Sequence, residues 1–260
     1  IIYLFTVIFI FSCDENNVNQ FPEIVETYDY GIGVNDSYIS KITYSKNNAL
    51  LSQEFISDLN DSMILSVKKD VYNYILEKSY YFLSINGLAY KSIDTVKNSY
   101  IISEYNYIYN ENGYLIEKKI NANIFSDNEF KNVSTTVTGR ILFEISNGNT
   151  MQIVTERKFE GKYNYTEKEI SVMSFLKNSN TLGIQNFKQP FTGKPNTNLI
   201  ESIKYSYYKD DVLEEKGTVK YGYLIDSSTY KVVRESEFFN SELEQKNPLR
   251  TIRNFTYLTE

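Results

Sequence analysis

The sequence predicts an all-β domain: an antiparallel meander wound into one barrel or a strongly curved half-barrel, with a two-sheet sandwich as the alternative. Three observations predict it. Apolar and polar residues alternate with period two over nearly all of the chain after residue 24. Asn- and Gly-bearing turns separate the alternating runs, which is the signature of β-hairpins. Long runs of helical periodicity are absent, and a single open sheet of a dozen or more strands is expected to curl, split or close.

The clearest hairpin is "SEYNYIYNENGYLIEKKINANIF", residues 103–125. Tyr105, Tyr107 and Tyr109 lie two apart and share one face of a strand. "NENG" turns the chain, and Tyr114, Ile116, Ile120, Ala122 and Ile124 line one face of the return strand. "ITYSKNNALL" at 42–51 repeats the plan, and "FEISNGNTMQI" at 143–153 and "YGYLIDSSTYKVV" at 221–233 are looser versions. Their irregular spacing marks hairpins rather than a solenoid of fixed period. Further strands are expected at 63–67, 72–76, 80–85, 90–96, 133–143, 151–159, 203–208, 218–225, 230–238 and 252–258. In "TEKEISVMSFLKNSN", 166–180, Val172, Phe175 and Leu176 suit a short helix while Ile170, Val172 and Ser174 suit a strand, so both remain open. No Pro-rich or Gly/Ser-rich linker divides the chain, and residues 25–260 read as one domain.

Composition narrows function more by what is missing than by what is present. The 260 residues include no His and no Trp, one Cys, 24 Tyr and 16 Phe, with a formal charge of −6. Without His, the commonest general acid/base and metal ligand is gone, together with Ser–His and Cys–His nucleophile pairs. No cofactor and no metal is expected. Lys and Arg are scattered and the net charge is negative, so nucleic acid is not an expected partner. Gly193-Lys194 lacks the upstream Gly and the following Ser/Thr of a phosphate loop and reads as a turn. "DLNDSM" (58–63) and "KDDVLEEKG" (209–217) lack the ligand spacing of a calcium loop and read as solvated hairpin ends.

Tyrosine is the candidate binding chemistry. Tyr105, Tyr107 and Tyr109, Tyr205 and Tyr207, and Tyr221 and Tyr223 fall on faces that also carry Ile203, Val219 and Ile225. Either their hydroxyls run out to the rim of a filled core, or the interior is semi-polar, each hydroxyl needing a partner. A glycan or a small apolar molecule is the ligand such faces suit.

Residues 1–12, "IIYLFTVIFIFS", are uncharged and too short to span a bilayer, which takes about 20 residues. Their length suits the apolar core of a secretory signal, truncated at its start because no basic segment precedes it. Ile10-Phe11-Ser12-Cys13 resembles a bacterial lipobox, in which Cys13 becomes the lipid-bearing residue. Residues 13–24 then form the tether. The resemblance implies a membrane partner reached through lipid, since two or more acyl chains anchor a protein stably. Asp14 and Glu15 resemble the surface-export signal of Bacteroidota lipoproteins, which implies the outer membrane and the cell surface; a periplasm-facing anchor is the alternative. "NFKQPFTGKPNTNLIESIKYSYY" at 186–208 resembles an uncharacterised Bacteroidota lipoprotein family with tyrosine- and glycine-bearing hairpins. That resemblance implies an all-β, porin-like barrel. Asp94-Thr95-Val96 also resembles the short O-glycosylation pattern of Bacteroidota exported proteins. The expected function is a non-catalytic binding or structural module on the cell surface. A carrier of a lipid or other apolar ligand is the alternative, and a carboxylate-based hydrolase the third reading.

Overall fold

A computed structural model describes residues 23–31, 40–46, 49–57, 62, 63–70, 72, 74–96, 99–127, 129–180, 190–225, 229–240 and 245–258, and side chains only between 62 and 224. Cys13, Asp14, Glu15 and nearly all of the tether lie outside the described residues.

Fifteen strands follow one another: β1 (Glu23–Gly31), β2 (Ser40–Lys46), β3 (Ala49–Ser57), β4 (Met63–Asp70), β5 (Ile75–Leu83), β6 (Ala89–Val96), β7 (Ile101–Tyr109), β8 (Leu115–Phe125), β9 (Val133–Ser146), β10 (Asn149–Gly161), β11 (Tyr165–Ser179), β12 (Asn198–Lys209), β13 (Val212–Ile225), β14 (Thr229–Asn240) and β15 (Gln245–Leu258). The ten strands from β4 to β13 make one curved antiparallel meander, open when taken alone. The backbone ladders of the other five carry the sheet round until β1 pairs with both β2 and β15, closing a barrel. A meander reverses direction at every step, so an odd number of strands leaves the first and last parallel. β1 and β15 do pair in parallel, from Glu23 opposite Arg250 to Gly31 opposite Leu258.

The barrel therefore has two unlike ends. The near end is where β1 begins, and it carries the β4–β5, β6–β7, β8–β9, β10–β11 and β12–β13 turns. The far end carries the β5–β6, β7–β8 and β9–β10 turns and the long β11–β12 connection. Asn147 and Gly148 make the β9–β10 turn with φ of 50° and 76°. Positive φ at both central residues is what a two-residue hairpin turn demands, and Asn-Gly supplies it at least cost.

Inward and outward faces separate by parity. One inward row crosses eight strands: Ser66, Ser79, Asp94, Ser103, Ala122, Val137, Phe159 and Tyr165. Toward the near end the lumen is apolar, with Ile101, Ala122, Val137 and Phe159 packed together against Val96, Ile124 and Tyr165. Phe159 and Tyr165 stack at 4.3 Å between ring centres. The outward face of β8 to β11 carries a charged row. Lys119, Arg140, Glu156 and Lys168 sit side by side on β8 to β11, with Arg140 paired to Glu156 at 2.9 Å and Lys168 reaching it at 3.7 Å.

One local expectation needs correction, and one open alternative is decided. Residues 72–76 and 80–85 are not two strands but one, β5, with Tyr72 and Tyr74 exposed in the turn before it. The polar Glu77-Lys78-Ser79 stretch reads as a break in sequence, yet Ser79 faces a lumen that is itself polar there. Residues 166–180 form strand rather than helix: β11 pairs with β10 and β12 along most of its length.

Candidate functional site: the polar lumen and the far rim

The tyrosines singled out in the sequence point inward, and their hydroxyls stay there. The Tyr107 hydroxyl shares a 2.9 Å hydrogen bond with Ser92, whose side chain is fully buried on β6. Tyr109 donates to the carbonyl of Ala89 at 2.9 Å. On the opposite arc, Tyr205 donates to Glu215 at 2.7 Å, Tyr207 to Glu167 at 3.0 Å and Tyr223 to the carbonyl of Ile200 at 2.8 Å. Tyr221 stacks beside Tyr223 at 6.5 Å. The interior is thus semi-polar, and the filled core with hydroxyls carried to the rim is set aside. Burial disfavours the phenolate and pushes the hydroxyls of Tyr107, Tyr109, Tyr207 and Tyr223 upward from the ordinary tyrosine range, with neighbouring acids adding to the shift at Tyr107 and Tyr207. They act as neutral hydrogen-bonding groups.

Between the tyrosines sit charges. Asp94 faces inward from β6 among Ser79, Ser92, Tyr81 and Tyr105, and its Oδ1 is buried without a hydrogen-bond partner. Burial raises its carboxyl above the ordinary aspartate range, while the Lys118 charge and the hydroxyls of Ser79 and Ser92 pull it back. Lys118, inward on β8, lies over the Tyr105 ring at 3.7 Å and within 5.2 Å of the Tyr107 ring. Burial lowers its ammonium from the ordinary lysine range, and Asp94 opposes the shift. A second pair, Arg157 and Glu167, meets at 3.2 Å with exposures of 20% and 17%.

Sequence inspection passed over all four charged residues. One signal was present for Lys118: it shares the parity of Ile116, Ile120, Ala122 and Ile124, so a lysine stood among positions already assigned to the inward face. Asp94 was noted only for a glycosylation pattern, whose acid proves to be a lumen residue while Thr95 has the opposite parity.

At the far end residues 190–197, the described part of the β11–β12 connection, pack onto the barrel as a plug. Phe191 is 3% exposed and meets Tyr81 edge-on at 5.1 Å. Gly193 follows with φ 101°, and a Cβ there would stand 3.0 Å from the Tyr109 ring. The plug is tied to two hairpin turns: Lys194 N donates to Gly113 O at 3.0 Å, and Thr197 N to Gly148 O at 2.9 Å. Asparagines finish the seam, Asn196 accepting from Thr150 N at 2.6 Å and Asn149 donating to Asn198 at 3.0 Å. "TGKPNTN" is therefore a plug rather than a phosphate loop.

Two recesses open from this scaffold. One, of about 430 Å³, lies at the far rim between the β5–β6 and β7–β8 turns. The other, of about 840 Å³, lies over the β8–β11 wall and is lined by the charged residues already paired there. Among the described residues no group of His, Cys, Asp and Glu is arranged to hold a metal ion.

Together these features define a class of architecture: an odd-stranded meander barrel, plugged at one end, with a tyrosine-rich semi-polar lumen and a charged outer wall. No protein-family model matches the chain, and no curated protein matches it.

Proposed function

We propose that the chain is a membrane-anchored lipoprotein whose barrel stands in water as a non-catalytic binding or structural module at the cell surface. The observation that carries this reading is the outer wall of β8 to β11. A barrel that spans a bilayer presents an outward apolar band about 25 Å tall, and a charged side chain facing lipid at mid-depth costs about 2–4 kcal/mol. Here an outward row across four neighbouring strands is Lys119, Arg140, Glu156 and Lys168, the first three of them at mid-strand. Contact with the membrane then belongs to Cys13, and Asp14 and Glu15 supply the export signal. β1 starts at the near end, and on this reading a tether entering there would turn the plugged rim away from the membrane. The hydrogen-bonded tyrosines and lumen charges weigh against an apolar cargo.

The test is detergent phase separation of the exported protein. The native chain is expected in the detergent phase and Cys13→Ala in the aqueous phase. Equal partitioning of the two would end the lipoprotein reading. Protease added to intact cells should cleave the native protein and spare one in which Asp14 and Glu15 are both Ala; equal cleavage would remove the surface assignment.

A further inference from the structure

The far-rim recess brings together what neither the lumen nor the charged wall has in combination: it is open, its polar groups are uncommitted, and it has an exposed aromatic wall. Two hairpins of the same design form its sides. Ser84 N donates to Leu88 O at 2.8 Å and Gly87 N to Ser84 O at 2.9 Å; Asn110 N donates to Tyr114 O at 2.9 Å and Gly113 N to Asn110 O at 2.9 Å. β6 and β7 are paired neighbours, which sets the two turns side by side. Tyr90, 53% exposed, and Tyr109 supply the aromatic surface. Asn86, Asn110, Glu111 and Asn112 supply the polar edge.

The geometry is preorganised. Tyr109 is held by its bond to Ala89 O, and Asn110 Oδ1 is fixed by accepting from the backbone of Asn112 and Tyr114, each at 3.0 Å. That leaves the Asn110 amide nitrogen, the Asn86 and Asn112 amides and the Glu111 carboxylate facing solvent without hydrogen-bond partners among the described residues. The space, about 430 Å³, falls within the range of small-ligand pockets. No lysine or arginine is among its lining residues, and its one charged group is the Glu111 carboxylate. Amides offer donor and acceptor on one group, which matches adjacent hydroxyls on a polyol, and an exposed ring offers a flat apolar face.

We propose that this recess binds a neutral sugar, its ring against Tyr90 and its hydroxyls held by Asn86, Asn110, Glu111 and Asn112. The proposal deepens the binding-module reading, to which it adds a ligand class, and the orientation above would place the sugar on the side away from the membrane.

The experiment is ligand-observed NMR on the full anchored chain, in a detergent without a sugar headgroup. Glucose, galactose, mannose and N-acetylglucosamine are the probes, with choline as a cationic control. At least one sugar is expected to bind and choline is not. Tyr90→Ala should weaken that sugar by roughly tenfold or more, a difference of about 1.4 kcal/mol, while Tyr90→Phe stays close to the native protein. Asn112→Ala should weaken it as well. Both positions are exposed, and an unchanged denaturation midpoint shows that folding is intact. Failure of all four sugars to bind, binding of choline in their place, or sugar binding indifferent to Tyr90→Ala and Asn112→Ala would each overturn the proposal. The partition behaviour of Cys13→Ala is read separately, so the recess and the anchor fail or stand independently.

Discussion

Tyr107 sits two residues from the far end of β7 with its ring inward and its hydroxyl on Ser92. Removing the ring empties a packed site, which costs about 3–5 kcal/mol. Removing only the oxygen leaves the buried Ser92 hydroxyl without this partner, at about 1–3 kcal/mol. Urea titration should therefore order the midpoints native, Tyr107→Phe, Tyr107→Ala. A Phe variant equal to the native protein would mean that the hydrogen bond contributes nothing. Asp94 and Lys118 make a sharper case. Taking away one member of a buried pair of opposite charges costs about 3–5 kcal/mol, whereas replacing both by apolar groups is often neutral. Lys118→Met is expected to destabilise, and Asp94→Leu in the Lys118→Met background to restore most of the loss. The pH sign follows from the carboxyl. Its folded pKa lies above its unfolded value, so the native state binds the proton more readily and stability falls as pH rises between the two values. Lys118→Met removes the charge that opposes this shift. Its midpoint should drop more steeply than the native one on going from pH 4 to pH 8, and parallel profiles would show that the two charges do not interact.

At the scale of elements, hairpins were legible because each is a local event: Asn-Gly at a turn and alternation on either side fix strand, register and facing within some twenty residues. The Tyr105, Tyr107, Tyr109 face and the shared face of Ile203 and Val219 with the later tyrosines were accessible for that reason. β5 was not, because period-two reading assumes an apolar interior, and this interior is part serine and acid. The plug was also illegible. Phe191 meets Tyr81 and Tyr109, and Lys194 and Thr197 meet the Gly113 and Gly148 turns, only after the intervening strands have been laid side by side, and nothing local announces such contacts. It follows that the plug should loosen as a unit. Asn196→Ala deletes the acceptor for Thr150 N, and hydrogen exchange at Thr150 and Lys194 is expected to quicken while the amides of β7 keep their protection. Uniform acceleration across the barrel would mean that the plug and barrel unfold together.

At the scale of the whole molecule, closure is the feature that a sequence conveys least, since β1 and β15 are separated by nearly the whole chain. It is open to a direct check. Thr27 and Asn254 are partners across the parallel seam. Cα atoms of paired strands fall within the 4.4–6.8 Å that a disulfide spans. Cysteines placed at both, in a Cys13→Ala background, should cross-link on mild oxidation. Cysteines at Thr27 and Leu258, displaced along the ladder, should not. An absence of cross-linking at Thr27 and Asn254 would leave the sheet an open half-barrel.

The parallel seam also has a mechanical meaning. β1 enters at one rim and β15 leaves at the other, so tension between an N-terminal tether and a load beyond β15 pulls the two strands past each other along their own axes. Nine facing residue pairs, Glu23 with Arg250 through Gly31 with Leu258, then share the load at once. An even-stranded barrel would bring both strands out at the same rim, where the same pull peels the ladder apart one bond at a time. An odd count makes the seam a shear clasp, strongest against a pull along the strands themselves.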